Sequence, residues 1–313
     1  FISEKLKDHC ELLIRKRILR GEYESHLLPE ILEHVQNRLD HFEQIPAVIV
    51  YYRLYQLLQG STNQSRDEKL SKSQELDHYI TQTEQEDLYN MLLNYCIARI
   101  NQGQNAYHAK ALSIIRWQLE KGLTYNQGYL PEWHYKNIVT IGIRANEADW
   151  VYDFIEKYKS KLHPDCRARA YALNLASYYY SVGQPNKTLE LLAHLEYHDP
   201  RYYIATKALL LRTYFDLQEY EALKALSESF QQQMKRNKRM TDARVRGLSN
   251  LFKFTKRAMT IQTRSEYGST LQLTRDLEKL RLQVKETEEL INRSWLEEKI
   301  LEIREIIGVS AKT

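Results

Sequence analysis

Residues 171–200 read YALNLASYYYSVGQPNKTLELLAHLEYHDP, and their spacing decides the fold. Leu175, Ala176 and Tyr179 fall three and four residues apart, which places them on one face of a helix. Val182-Gly183 supplies a tight turn. Leu189, Leu192 and Leu195 then repeat the spacing on a second helix, which Pro200 is expected to stop. The stretch predicts two short amphipathic helices packed back to back.

The same punctuation recurs along the chain. Turns are expected at 21, 60, 103, 146, 183 and 218, separated by 39, 43, 43, 37 and 35 residues. Helices are expected to begin after Pro131, Pro164 and Pro200. Toward the N-terminus, a first helix to about Arg20 carries Leu6, Leu13 and Ile14, and a helix over 23–42 is its expected partner. AVIVYYRLYQLL, from Ala47 to Leu58, is the most apolar helix. The polar run Ser61 to Glu68 predicts a flexible connection, with a charged helix after it to Ile80. Thr83 with Glu86, and Ser294 with Glu297, have the spacing of a capping box.

Beyond residue 235 the character changes. KRNKRMTDARVR (235–246) is basic, and LFKFTKRAMTI continues as an amphipathic helix. A break is expected at Tyr267-Gly268-Ser269. A long helix follows with Leu273, Leu277, Leu280 and Val284, then a last one with Trp295, Ile300, Ile303 and Ile307. Four segments emerge: degenerate helix pairs over 1–60, irregular helical repeats over 61–130, regular repeats over 131–235, and a C-terminal helical cap over 236–313.

Composition agrees with an all-helical chain. Ten glycines and six prolines in 313 residues leave little punctuation for short strands, and 43% hydrophobic content allows a packed core. The 23 tyrosines suit helical repeats as spacers with a buried ring and a wet hydroxyl. A net charge of +4 from 45 basic and 41 acidic residues gives no general case for nucleic acid or an anionic membrane. Cys10, Cys96 and Cys166 are far apart and form no CxxC pair, which suits a reducing, cytoplasmic setting. No apolar run has the length of a membrane span. The chain opens on Phe1 rather than Met, which we read as a fragment or processed form with room for a domain upstream.

The 171–200 pattern resembles the tetratricopeptide repeat, on Leu175, Ala176, Tyr179, Gly183, Leu192 and Pro200. Thr188 stands where that family usually has alanine. The resemblance is good over 165–235, fair over 85–163 and weak elsewhere. The C-terminal block (LFKFTKR, then NRSWLEEKI) is similar to that of uncharacterised bacterial helical-repeat proteins, which transfers no function. The resemblance implies a right-handed α-solenoid of about six helix pairs, ended by the C-terminal helical cap. It also implies a groove lined by the first helix of each pair, with Trp133, Lys136, Thr140 and Ile143, then Leu173, Ser177 and Tyr180, then Ala208, Arg212 and Phe215. Some members hold a C-terminal carboxylate with a five-residue clamp. Lys136 and Asn174 match two of its positions, but Thr140, Ala205 and Leu209 occupy the others, so no such ligand is expected.

No catalytic constellation stands out: there is no Gly-rich phosphate loop, GxSxG or HExxH. No cofactor or metal is expected. Glu30 and His34, with His26 a turn earlier, share a helix face that reads better as solvated than as metal-binding. The basic patch Lys235, Arg236, Lys238 and Arg239, followed by Phe252, Lys253, Phe254, Lys256 and Arg257, could track a phosphate backbone and stack bases. Cations gathered at a helix C-terminus explain the patch more simply. The sequence therefore predicts a non-catalytic scaffold that binds a protein or peptide. Nucleic-acid binding through 235–257, or a regulatory role at the C-terminus of a larger protein, is the alternative. The leucine spacing of the last two helices also permits a homodimer.

Overall fold

The computed structural model describes residues 1–19, 27–59, 80–193, 195, 199–236 and 243–310. The expected turns at Gly21 and Gly60, the polar run 61–68 and the start of the charged helix after it lie outside the described residues, as do Lys238, Arg239 and His26. The described chain is helical, with a single isolated bridge between Asn126 and Tyr129. It divides into two compact units, Phe1–His163 and Pro164–Thr313. That division falls inside the segment expected to carry the regular repeats.

The first unit contains α1 (Ile2–Leu19), α2 (Leu28–Asn37), α3 (Leu39–Phe42), α4 (Pro46–Gln59), α5 (Gln82–Asn101), α6 (Tyr107–Glu120), α7 (Glu132–Arg144) and α8 (Ala148–Tyr158). α1 packs mainly on α4 rather than on the expected partner over 23–42. The reason lies in the apolar surfaces. α4 buries Val48, Ile49, Val50, Tyr51, Tyr52, Leu54, Leu57 and Leu58, so it is apolar on nearly every side and must be enclosed. α2 buries only Leu28, Ile31 and Val35. Later helices pack in order, α5 on α6, α6 on α7 and α7 on α8. Asn146 takes the left-handed conformation (φ 60°) at the α7–α8 turn and Gly103 (φ 82°) does so between α5 and α6, at positions the spacing marks as turns.

α5 begins one capping box earlier than expected. The segment ITQTEQE (80–86) contains two overlapping boxes, and the outer one is used. The Glu84 backbone N–H donates to the Thr81 hydroxyl, and the Thr81 N–H donates back to the Glu84 carboxylate. This choice adds two residues to the helix.

The second unit contains α9 (Pro164–Ser181), α10 (Pro185–Ala193), α11 (Pro200–Asp216), α12 (Tyr220–Arg236), α13 (Ala243–Arg264), α14 (Thr270–Glu286) and α15 (Arg293–Ser310). Each helix packs on the next, and α9, α11, α13 and α15 also pack on one another in that order. Pro200 opens α11 rather than closing α10, which already ends at Ala193. Asp199 caps α11, its carboxylate accepting the Arg201 N–H at 2.8 Å, and proline is tolerated at a first-turn position because the missing N–H has no intrahelical partner there. Ser294 lies inside α15 rather than capping it, since that helix starts at Arg293.

Within α9 and α10, Leu175, Ala176 and Leu192 are buried as the spacing predicts. Tyr179 is half-buried under Lys187, whose ammonium lies 4.8 Å from the ring centre. Thr188 is fully buried, and its hydroxyl donates to the Ala176 carbonyl of the facing helix at 3.2 Å. The departure from alanine is thus accommodated by a hydrogen bond between the two helices. One buried cluster joins Leu211, Phe215 and Phe230 to Phe252, Leu273, Leu280, Trp295, Ile300 and Ile307, so the expected C-terminal cap shares its core with α11 and α12.

Candidate interaction surfaces

The expected groove residues fall in both units, and each set is described in its own. In the first unit, Trp133 and Lys136 are half-buried on α7 and Thr140 is exposed. The Thr140 hydroxyl donates to the Lys136 carbonyl at 2.9 Å. In the second unit, Ser177 and Tyr180 on α9 and Arg212 on α11 are half-buried, and the helix packing brings Tyr180 and Arg212 together. The Arg212 guanidinium lies 4.6 Å from the Tyr180 ring centre. Ser177 donates its hydroxyl to the Leu173 carbonyl at 2.9 Å.

Phe215 does not line this surface. It is 3% exposed and packs edge-on against Trp295, with ring centres 5.6 Å apart. The helix offset that should aim it at a ligand aims it at α15, which covers that part of the face. Leu173 and Ala208 are buried as well. Asn174 is buried too, its amide donating to the Ala170 carbonyl at 2.7 Å, so even the matching clamp position is occupied locally.

Around Tyr180 the structure assembles a polar seam that the sequence does not announce. The Tyr180 hydroxyl donates to Asp216 at the end of α11. The other Asp216 oxygen lies 3.1 Å from the Lys299 ammonium on α15, which also reaches Glu302 at 2.9 Å. Burial pushes the Tyr180 hydroxyl well above its ordinary pKa, Arg212 pulls it down, and Asp216 pushes it further up. Burial opposes the charge on Lys299, but Glu302 and Asp216 outweigh it and hold the ammonium above its usual value. Only the four-residue spacing of Arg212 and Asp216 on one helix hints at this seam.

A second surface lies between α12 and α13. A groove of about 510 Å³ has Phe230 and Phe252 beneath it and Lys253, Lys256 and Arg257 along it. Phe252 and Phe254 are each 3% exposed, so neither is available as the base-stacking platform that the nucleic-acid reading needs. Of the basic patch, Lys235 and Arg236 close α12, while Lys238 and Arg239 lie outside the described residues.

Other chemistry is sparse. Glu30 and His34 are exposed on α2, and no group of three or more metal-binding side chains occurs among the described residues. The three cysteines are buried. The Cys10 thiol sits 3.5 Å from the Tyr51 carbonyl, and burial pushes its pKa up, away from reactive thiolate. No described helix is long and apolar enough to cross a membrane. Comparison with known proteins finds no matching family model, no similar curated protein and no similar solved structure.

Proposed function

We propose that the chain is a right-handed α-solenoid of about six helix pairs similar to tetratricopeptide repeats, with a C-terminal helical cap. It acts as a non-catalytic scaffold that binds a peptide or helix on the face formed by the first helices of its regular pairs. The observation that carries this reading is the packing of α9 directly on α11, with Tyr180 beneath Arg212 and a charged seam through Asp216 and Lys299. Half-buried aromatic surface beside charges of both signs is the composition that protein-recognition surfaces favour. Ser177 lies on the same helix face one turn before Tyr180. Partner specificity lives in such side chains rather than in the fold.

Arg212 is a poor probe of this surface, because reversing its charge would set it beside Asp216 and remove its stacking on Tyr180. Ser177→Arg is cleaner. Proteins retained from a lysate by the wild-type chain should be lost from the Ser177→Arg variant, with the melting temperature unchanged. Retention of the same proteins by the Ser177→Arg variant would remove the reading.

A further inference from the structure

We infer that the α12–α13 groove is a second docking site, which takes an acidic, amphipathic segment of a partner protein. The inference rests on charge bookkeeping along α13 and does not depend on the α9–α11 face. Near its two ends α13 is neutralised by α14 and the segment after it: Arg246 pairs with Glu289, and Arg264 lies 3.4 Å from Asp276. Between them, over the groove, the pattern breaks. Lys253 and Lys256 form no ion pair with a described residue, and Arg257 donates to the neutral amide of Gln283, which leaves its charge uncompensated. None of the described residues lining the groove is Asp or Glu.

The three cations sit at i, i+3 and i+4, so they form one stripe on a single helix face. The opposite wall is neutral, with exposed Gln231 on α12. The remaining hydroxyls are engaged locally, Ser249 donating to the Val245 carbonyl and Thr260 to the Lys256 carbonyl, both at 2.9 Å. An occupant must therefore bring carboxylates to the charged tips of the stripe and apolar groups to the aliphatic stems of Lys253, Lys256 and Arg257, since Phe230 and Phe252 are almost wholly buried. An acidic amphipathic helix does both, pairing with the stripe at its own i, i+3 and i+4 spacing. Single-stranded nucleic acid fits less well. Phe230 and Phe252 stack on each other with ring centres 4.4 Å apart, so their facing π-surfaces are closed to a base.

The test uses the whole chain and a labelled peptide of about 15 residues, long enough to form a helix on binding. It carries glutamates at i, i+3, i+4 and i+7 beside a leucine stripe. Its twin has lysines for the glutamates, and oligothymidylate serves as the third probe. The acidic peptide should bind with an affinity that falls with salt, and Lys253→Glu should weaken it roughly tenfold. Gln231→Glu on the facing wall should act in the same direction, and the lysine twin should gain affinity for the Lys253→Glu chain. Both substituted positions are exposed, and unchanged melting temperatures confirm that the variants fold. Equal binding of the two peptides, or no response to Lys253→Glu, overturns the inference. So does tighter binding of oligothymidylate that Lys253→Glu abolishes, which would assign the groove to nucleic acid.

Discussion

Gly142 sits where α7 packs against α8. A Cβ there would lie 2.4 Å from a Val151 methyl carbon, and Val151 is fully buried. In an open helix, alanine would gain about 1 kcal/mol over glycine. Here overpacking of about 1–3 kcal/mol opposes that gain, and the rigid core on the far side of Val151 decides the sign. We expect Gly142→Ala to lower the stability of the first unit by up to about 2 kcal/mol in denaturant unfolding. Combined with Val151→Ala, it should cost less than the two single losses added together, because the added methyl then fills the space the valine vacates. Additive losses would show that the contact is relieved elsewhere. Residue-scale detail of this kind was partly legible. Leu175, Ala176 and Leu192 were placed inside by spacing alone, but nothing in the spacing says that Thr188 bonds to Ala176 across the pair or that Gly142 marks a close crossing.

For whole elements, punctuation carried most of the information and ambiguity entered where two signals overlapped. Asn146, Gly183 and Gln218 adopt positive φ of 60°, 70° and 58° at the expected turns, because a helix ends readily on a left-handed residue. The start of α5 was misread because Thr81 and Thr83 both stand three residues before a glutamate. The structure separates them by geometry, and substitution tests the choice. Thr81→Ala removes the hydroxyl that accepts the Glu84 N–H, so it should cost about 1 kcal/mol in a denaturation midpoint. Thr83→Ala, already within the helix, should change stability little. If Thr83→Ala is the costlier substitution, the helix starts at the inner box. The pairing of α1 with α4 was beyond reach for a different reason, since sequence order favours neighbours while burial of an all-round apolar helix does not.

Across the second unit, long-range packing separates what the sequence shows of the site from what it hides. Tyr180 and Arg212 could be aligned by repeat offset, yet Phe215, aligned by the same offset, faces Trp295 from a helix eighty residues further on. Lys253, Lys256 and Arg257 were visible as a basic run, whereas the neutralisation of Arg246 by Glu289 needs a contact that no local pattern encodes. The same long-range packing makes a prediction about the cap. Leu273, Leu277, Leu280, Val284, Trp295, Leu296, Ile300, Ile303 and Ile307 lie in one buried cluster with Leu211, Phe215 and Phe252. At about 1.5–3 kcal/mol for each fully buried large side chain, the burial they supply is at least comparable with the roughly 5–15 kcal/mol that holds a domain folded. A chain ending at Arg264 should therefore lose the cooperative unfolding of its second unit and bind a hydrophobic dye, and proteolysis should degrade residues 164–264. A terminal cap that merely shields the last pair predicts the opposite, a protease-resistant 164–264 fragment with a melting temperature only slightly reduced. The shared core around Trp295 favours collapse, because truncation would expose Phe215, Phe252, Phe254 and Ile261 together.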